Sequence, residues 1–157
     1  MITQIDLEHF KCFEELHLPL RQLTILSGTN ASGKSSVLQS LVLLHQTAKD
    51  NEWSTRLLLN GSEICLGTVA DVVDEGVGGR LFKIGLTDEV ANYSWTFEGE
   101  HGQSMSAAVL SIKIGNDKRD KPPILSYLIP PETHGVMSDL LVSIEPTPMD
   151  WTKTSTI

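Results

Sequence analysis

A glycine-rich segment at residues 28–36 carries the residue types that bind phosphate. Residues 28–35 read GTNASGKS and fit the pattern GxxxxGK[ST] without a gap. Glycine at positions 28 and 33 allows the backbone to turn several amides inward, which forms a nest for an anion. Lys34 would face the β- and γ-phosphates, the Ser35 hydroxyl suits Mg²⁺, and Ser36 can bond the α-phosphate side. The candidate ligands of ATP are therefore Gly28, Thr29, Asn30, Ala31, Ser32, Gly33, Lys34, Ser35 and Ser36, and Ser35 is the candidate magnesium ligand.

The sequence on either side of this segment predicts the elements that such a loop requires. Leu23–Leu26 is a short apolar run typical of a buried strand, and it leads directly into Gly28. After the loop, apolar residues recur every three or four positions from Val37 to Leu44, which predicts a helix that ends near Ala48. Strand, glycine-rich loop and helix in this order form the context in which the pattern binds phosphate.

Alternating apolar and polar residues predict further strands. Residues 2–10 form one, and residues 16–20 form another, which Pro19 restricts to an edge or a terminal position. Residues 56–60 and 63–67 flank Asn60-Gly61 and predict a hairpin. Three more runs alternate: Phe82, Ile84 and Leu86; Tyr93, Trp95 and Phe97; Leu110, Ile112 and Ile114. Trp95 is expected in the core, because an aromatic stripe at strand spacing is typical of packed residues.

These patterns divide the chain into three regions of one domain. We expect a strand–loop–helix core at residues 1–50 and an antiparallel β-lobe at residues 51–120. Residues 121–157 contain most of the prolines and many Ser and Thr residues, and they predict an irregular tail.

Composition narrows the class of protein. The 157 residues are 40% hydrophobic and 20% charged, which is typical of a globular chain. No run reaches the roughly eighteen apolar residues that span a bilayer, and the first residues lack a signal-peptide pattern, so we expect a cytoplasmic protein without a membrane partner. Two cysteines and five histidines lack the spacing of a disulfide framework or a metal site. The net charge of −8 argues against an autonomous nucleic-acid binder, so a DNA contact would need other segments or a partner.

The first half of the chain resembles the ATPase heads of the SMC/RecF-like group. The resemblance rests on Ile5, Leu7 and the stretch Phe10-Lys11-Cys12-Phe13, then on Leu23–Leu26 and residues 28–36, and it extends to about residue 75. These proteins are ABC-type heads of AAA ATPases, and they include the ATPase subunits of overcoming-lysogenization-defect and related anti-phage nuclease systems. The resemblance places the basic residue of the Phe-Lys-x-Phe stretch near the nucleotide, which makes Lys11 a further candidate ligand.

The same resemblance implies a fold and an activity. The expected fold is α/β, a P-loop NTPase head lobe with an appended antiparallel β-subdomain. Such a head binds Mg-ATP, pairs head to head in a homodimer, and couples ATP hydrolysis to work on DNA or to a nuclease.

Three motifs of such heads are not identifiable in this sequence: the signature motif, the Walker B strand that ends in an acid, and the switch histidine. Val72-Val73-Asp74-Glu75 has too short an apolar run for a Walker B strand. Residues 140–146 resemble that strand distantly, with Glu145 as the candidate catalytic acid, although Ser143 interrupts the run. We therefore expect the incomplete N-terminal portion of a longer ATPase, which binds ATP and hydrolyses it negligibly.

Three other interpretations stay open. A nucleotide-sensing or interaction module without catalysis would use the β-lobe as its working surface. A small-molecule kinase would carry an arginine-rich lid, whereas Arg80 and Arg119 stand alone in the sequence. A GTP-binding switch would need the guanine-reading pattern NKxD, and residues 116–120, NDKRD, have these letters in another order and predict a polar loop.

Overall fold

The computed structural model of the chain describes residues 1–50, 55–74 and 79–120. Within these ranges the elements, in chain order, are β1 (Ile2–Phe10), β2 (Phe13–Pro19), α1 (Lys34–Asp50), β3 (Arg56–Leu58), a short 3-10 helix (Val69–Asp71), β4 (Leu81–Asp88), β5 (Asn92–Glu98), β6 (Ser106–Ile114) and β7 (Asp117–Asp120). The tail predicted at residues 121–157, with the candidate acid Glu145, lies outside the described residues.

The described strands form one antiparallel sheet. Its order is β2-β1-β4-β5-β6-β3, and β7 also pairs with β6. β1 lies between β2 and β4, with Leu7 opposite Leu16 on one side and opposite Ile84 on the other. The connections β1–β2, β4–β5 and β5–β6 are short, which favours antiparallel neighbours because parallel ones need a long crossover. The strands expected in a separate core and lobe therefore share one sheet, and α1 is the one α-helix of the described ranges.

The hydrophobic core covers one face of this sheet. Phe10, Phe82 and Phe97 form an aromatic row, with ring centroids 5.9 Å apart in the first pair and 5.1 Å apart in the second. Trp95 is buried, which confirms that it belongs to the core. The other buried members on β1, β4 and β6 are Ile5, Leu7, Ile84, Leu86, Ala107, Val109 and Ile112. Because strand side chains alternate between faces, the opposite face carries polar residues.

A bulge in β6 changes which of its residues face the core. Thr96 of β5 pairs with Ser111, whereas the next residue, Phe97, pairs with Val109. Leu110 is thus an extra residue on β6, and a bulged strand changes the phase of its alternation at that point. Val109 and Ile112 are buried in the core, while Leu110 lines a groove on the polar face. The predicted strand is confirmed, but the expected alternation of Leu110 with Ile112 is wrong.

Helix α1 is attached to β3 and to the turn after it by two buried polar side chains. The Gln46 Nε2 donates to the Leu58 carbonyl at 2.9 Å, and its Oε1 accepts from the Ile64 amide at 3.0 Å. The Thr47 hydroxyl accepts from the Leu58 amide at 3.0 Å and donates to the carbonyl of Leu43. These bonds satisfy backbone groups that the short strand β3 leaves without a ladder partner.

The chain turns between Gly61 and Ile64, just after the predicted position at Asn60-Gly61, and the second strand of the predicted hairpin does not form. The Gly61 amide donates to the Ile64 carbonyl at 2.9 Å, and Asn60 forms an isolated bridge with Cys65. Residues 63–67 form no strand, because the Asn60 side chain bonds both the amide and the carbonyl of Gly67 and ends the pairing there. β3 pairs instead with β6.

The buried strand predicted at Leu23–Leu26 is wrong for the described structure. Leu23 and Ile25 are 79% and 78% exposed, and only Leu26 packs against the core. An apolar run becomes a strand only where a neighbouring strand accepts its backbone hydrogen bonds. The antiparallel sheet takes β2 and β4 as the neighbours of β1, and none of the described strands pairs with residues 23–26.

We expect Gln46→Leu to lower the free energy of unfolding by about 1–3 kcal/mol, because the leucine fills the space but leaves two partly buried backbone groups without a partner. Urea unfolding of the full chain followed by circular dichroism measures this change. Gln39→Leu, the same substitution at a partly exposed position of α1, is the control and should change stability much less. Equal effects of the two substitutions would contradict the role assigned to Gln46.

His17 connects the two N-terminal strands through carboxylates on the polar face. Its Nδ1 lies 2.6 Å from Asp6 Oδ1 and its Nε2 lies 3.0 Å from Glu15 Oε1. The hydrogen bond with Asp6, followed by that with Glu15, raises the pKa of His17 above the ordinary value of 6.5.

A raised folded-state pKa means that the protonated imidazole stabilises the fold. This contribution is present in full below the unfolded-state pKa and is lost as the pH rises through the folded-state pKa. We expect His17→Gln to lower the melting temperature at about pH 5.5 and to have little effect at about pH 8.5. Thermal unfolding at both pH values tests this, with His101→Gln, on an exposed loop, as the control. A His17 effect independent of pH would contradict it.

Candidate functional site

The glycine-rich segment forms a tight loop directly before α1. The Ser32 amide donates to the Thr29 carbonyl at 3.3 Å, which closes a turn. Ala31 and Gly33 have φ angles of 65° and 83°. The left-handed region is uncommon for a residue with a Cβ, such as Ala31, and it is the conformation that turns consecutive amides to one side of a loop.

The first turn of α1 supplies further donors beside the loop. The Val37 amide donates to the Gly33 carbonyl at 3.1 Å, and this is the first bond of the helix. The amides of Lys34, Ser35 and Ser36 therefore have no partner within the helix, and the positive end of the helix dipole lies at the same place. Of the two serines in this turn, Ser35 is exposed and Ser36 is half-buried.

The Lys34 ammonium folds back over the loop. Its Nζ donates to the carbonyls of Gly28 and Thr29 at 2.9 and 2.6 Å and to the Ser32 hydroxyl at 3.1 Å. These three oxygens use the three donors of an ammonium group. The positive charge is thus held at the centre of the curled backbone.

The partners of Lys34 differ from those of three other cations in the described ranges. Lys83 pairs with Glu8, Lys49 with Glu63 and Arg56 with Glu100, each with an N–O distance of 3.0 Å or less. The hydrogen-bond partners of Lys34 are neutral oxygens, so its charge is not balanced by a carboxylate at that site. An anion that entered the loop would supply that balance.

The turn between β1 and β2 contacts the end of the loop. A Cβ added to Gly33 would overlap Cζ of Phe13 and would lie 2.8 Å from Cys12 Sγ and 3.0 Å from Phe13 Cε1. Real Cβ atoms do not approach other atoms so closely, so glycine is required at this position for sterics as well as for its φ of 83°. The structure brings the turn and the loop into direct contact.

Lys11 lies in this turn, one residue from Cys12. Its φ is 54°, and its amide donates to the Val72 carbonyl at 2.6 Å. The backbone and side-chain hydrogen bonds from Thr68 lower the pKa of Asp71, and the Lys11 charge contributes in the same direction. The contacts of Lys11 are therefore with the segment at residues 71–72, and no described contact joins it to the loop.

Among the described residues, no group of three or more His, Cys, Asp or Glu side chains could hold a metal ion. This arrangement is compatible with a nucleotide-bound Mg²⁺, which takes one or two protein ligands and completes its shell with phosphate oxygens and water. The exposed Ser35 hydroxyl at the start of α1 fits that role. Glu75 and Glu145 lie outside the described residues, so their positions relative to the loop are not described.

A family model for the AAA ATPase domain matches residues 1–118 of the 157. The chain belongs to this family. AAA ATPase domains use ATP, usually with Mg²⁺, and the matched range contains the loop, Lys11 and all of the described sheet except the end of β7. No curated protein and no solved structure matches the chain significantly. None of the described residues form a helix with both the length and the apolar character needed to cross a bilayer.

Phe13 and Cys12 are the site residues that the sequence pattern did not identify. Within the stretch Phe10–Phe13, the resemblance makes Lys11 the candidate ligand, whereas the contact with Gly33 is made by Cys12 and Phe13. The sequence contains both the aromatic residues of the turn and the glycine of the loop. Their spacing along the chain does not indicate that they are in contact. Both cysteines are free and exposed.

Proposed function

We propose that the loop Gly28–Ser36 is a Walker A motif that binds the triphosphate of ATP with Mg²⁺, within the N-terminal portion of an SMC/RecF-like ATPase head. The observation that carries the proposal is the position of the Lys34 ammonium, which donates hydrogen bonds to the carbonyls of Gly28 and Thr29 at 2.9 and 2.6 Å. A cation without a carboxylate partner, inside a curled backbone at a helix N-terminus, is an attractive site for a polyphosphate. Membership of the AAA ATPase domain family supports the same ligand.

Each part of the loop has a separate role in this proposal. Phosphate oxygens replace the carbonyls as acceptors for Lys34, while the amides at residues 33–36 bond the bridging and β-phosphate oxygens. Ser35 holds the metal, and bound Mg²⁺ would neutralise phosphate charge. Lys11 has no assigned contact with the ligand in this proposal, because its charge acts on Asp71 and no described contact joins it to the loop.

The wider role rests on the resemblance alone. In the proposed parent ATPase, two heads pair around two nucleotides in the cytoplasm, and hydrolysis is coupled to DNA or to a nuclease. The net charge of −8 favours a DNA contact through other segments or a partner rather than through this region.

The non-catalytic alternative is a nucleotide-sensing or interaction module that uses the β-lobe as its working surface and does not hydrolyse ATP. It is favoured if ATP binds but no turnover occurs in any assembly of the protein. A GTP-binding switch would need a guanine-reading loop at residues 116–120. Residues 117–120 instead form strand β7 in a hairpin with β6, so the predicted polar loop is wrong and this alternative is disfavoured.

We expect Lys34→Ala to weaken ATP binding by at least about tenfold, which corresponds to about 1.4 kcal/mol, because it removes the charge that faces the β- and γ-phosphates. Isothermal titration of the full chain with ATP, with and without Mg²⁺, measures the change. Competition with GTP reports the base preference in the same preparation.

Lys49→Ala is the matched control for this experiment. It removes the same charge from the other end of α1, where Lys49 pairs with Glu63 at 3.0 Å. ATP affinity should stay close to that of the wild type. Equal affinities of wild type and Lys34→Ala would refute the proposed site.

We expect the 157-residue chain to bind ATP and to turn it over negligibly. The loop stabilises the bound phosphates, and binding the ground state does not lower the barrier without additional contacts in the transition state. Phosphate release under saturating Mg-ATP measures turnover, and Lys34→Ala controls for contaminating ATPases. Steady turnover near about one per second that disappears in the variant would contradict the expectation and would point to Glu145 or Glu75 as the acid.

A further inference from the structure

The inference below rests on the proposed ATP site and concerns how the loop is held. We propose that Phe13 is a positioning residue for the triphosphate: its ring supports Gly33 and thereby holds the amides of the loop and of the first helical turn toward the ligand. Phe13 does not touch the nucleotide in this proposal. It acts through Gly33.

The contact is local and close. Gly33 is buried, whereas the loop residues 28–32 before it and Ser35 after it are exposed. The edge of the Phe13 ring, at Cζ and Cε1, occupies the space where a Gly33 side chain would be. The described contacts thus attach the loop to the sheet at Gly33, and the rest of the loop projects from that point.

The turn that carries Phe13 is itself fixed by the sheet. Phe13 pairs with Phe10 across the β1–β2 hairpin, and Phe10 is fully buried against Phe82. The turn is also bonded to the segment at residues 72–73, because the Lys11 amide donates to the Val72 carbonyl and Phe10 forms an isolated bridge with Val73. A turn bonded to two segments is a rigid support, because a displacement of Phe13 would have to disturb paired backbone in both.

The support matters for affinity because an anion nest works only when its amides converge. A loop that fluctuates must be ordered when the ligand binds, and that ordering opposes binding. Gly33 and the next three amides belong both to the loop and to the start of α1, so a shift at Gly33 moves them together. In this proposal the Phe13 ring therefore holds the amide donors in place, although the ring donates no hydrogen bond itself.

Two substitutions separate this role from a general contribution to packing. Phe13→Tyr adds one oxygen to Cζ, the ring atom nearest to the space that a Gly33 side chain would take, and keeps the aromatic ring that packs against the core. Phe13→Leu keeps an apolar side chain but withdraws the ring edge from Gly33. If Phe13 only filled space, both changes would affect stability without a selective effect on ATP affinity or on hydrogen exchange in the loop. Leu18→Ala, which removes another half-buried side chain from β2, controls for loss of stability.

The experiment measures ATP affinity by titration and, without nucleotide, hydrogen exchange of the amides at residues 29–36, all in the full chain. We expect both Phe13 variants to weaken ATP binding by about fivefold or more and to raise exchange in the loop, with exchange in β4–β6 unchanged. Leu18→Ala should leave the affinity and the exchange of the loop close to wild type.

The outcomes distinguish this inference from the proposed function. If the wild type binds ATP and the Phe13 variants bind equally well, Phe13 is not a positioning residue, and the ATP site stands. If loop exchange is unchanged in both variants, the support by Phe13 is overturned in the same way. If Leu18→Ala weakens binding as much as the Phe13 variants do, the effect is one of stability and the inference fails. If the wild type does not bind ATP, the proposed function fails, and the inference fails with it.

Discussion

The pairing of β1 on both of its edges is the constraint on which the rest of the described structure depends. β2 on one side and β4 on the other take the backbone bonds of β1, and Glu8 meets Lys83 across a sequence separation of 75 residues. Closing so long a loop costs conformational entropy. The burial of apolar side chains such as Ile5 and Leu7 offsets this cost. Within the described part of the chain, β2 has β1 as its strand neighbour, so the position of the β1–β2 turn follows from this pairing.

The glycine-rich loop is located by this turn at one end and by helix α1 at the other. Phe13 and Cys12 contact Gly33, while Gln46 and Thr47 bond the helix to Leu58 and Ile64. The loop residues between Ser27 and Ser32 are exposed and contribute little burial of their own. A loop with few internal contacts adopts one conformation only when its ends are fixed, and here one end contacts the half-buried Phe13 while the helix at the other end is bonded through the buried Gln46 and Thr47. The position of the loop thus depends on its contacts with the sheet and on the attachment of the helix.

Several cationic side chains in the described ranges pair with carboxylates, and Lys34 in the loop does not. On the polar face of the sheet, Asp6 and Glu8 bond His17 and Lys83, and near α1 Glu63 bonds Lys49 and His45. For Glu63, burial raises the pKa, but the hydrogen bonds from His45 and Lys49 outweigh burial and lower it. These charges neutralise one another within short distances. Lys34 interacts with neutral oxygens instead, so in a chain with net charge −8 it provides a local positive site for an anion.

Local patterns in the sequence were sufficient to predict several elements and to single out the loop as a candidate site. Strand periodicity predicted β1, β4 and β5, helical spacing predicted α1, and Asn60-Gly61 predicted a turn, because each depends on contacts between near neighbours in the chain. The spacing of Gly28, Gly33, Lys34 and Ser35 identified the candidate phosphate loop for the same reason.

Only the tertiary structure decided which strands are neighbours and what supports the loop. The apolar run at Leu23–Leu26 has the composition of a strand, yet it stays outside the described sheet because strand formation needs a partner that composition does not specify. Leu110 has the spacing of a core residue, and a bulge opposite Thr96 turns it to the polar face. The contact of Phe13 with Gly33 joins residues 20 positions apart that share no periodicity. The sequence by itself therefore determined the candidate phosphate-binding residues, and the long-range pairing of β1 determined which side chains contact them.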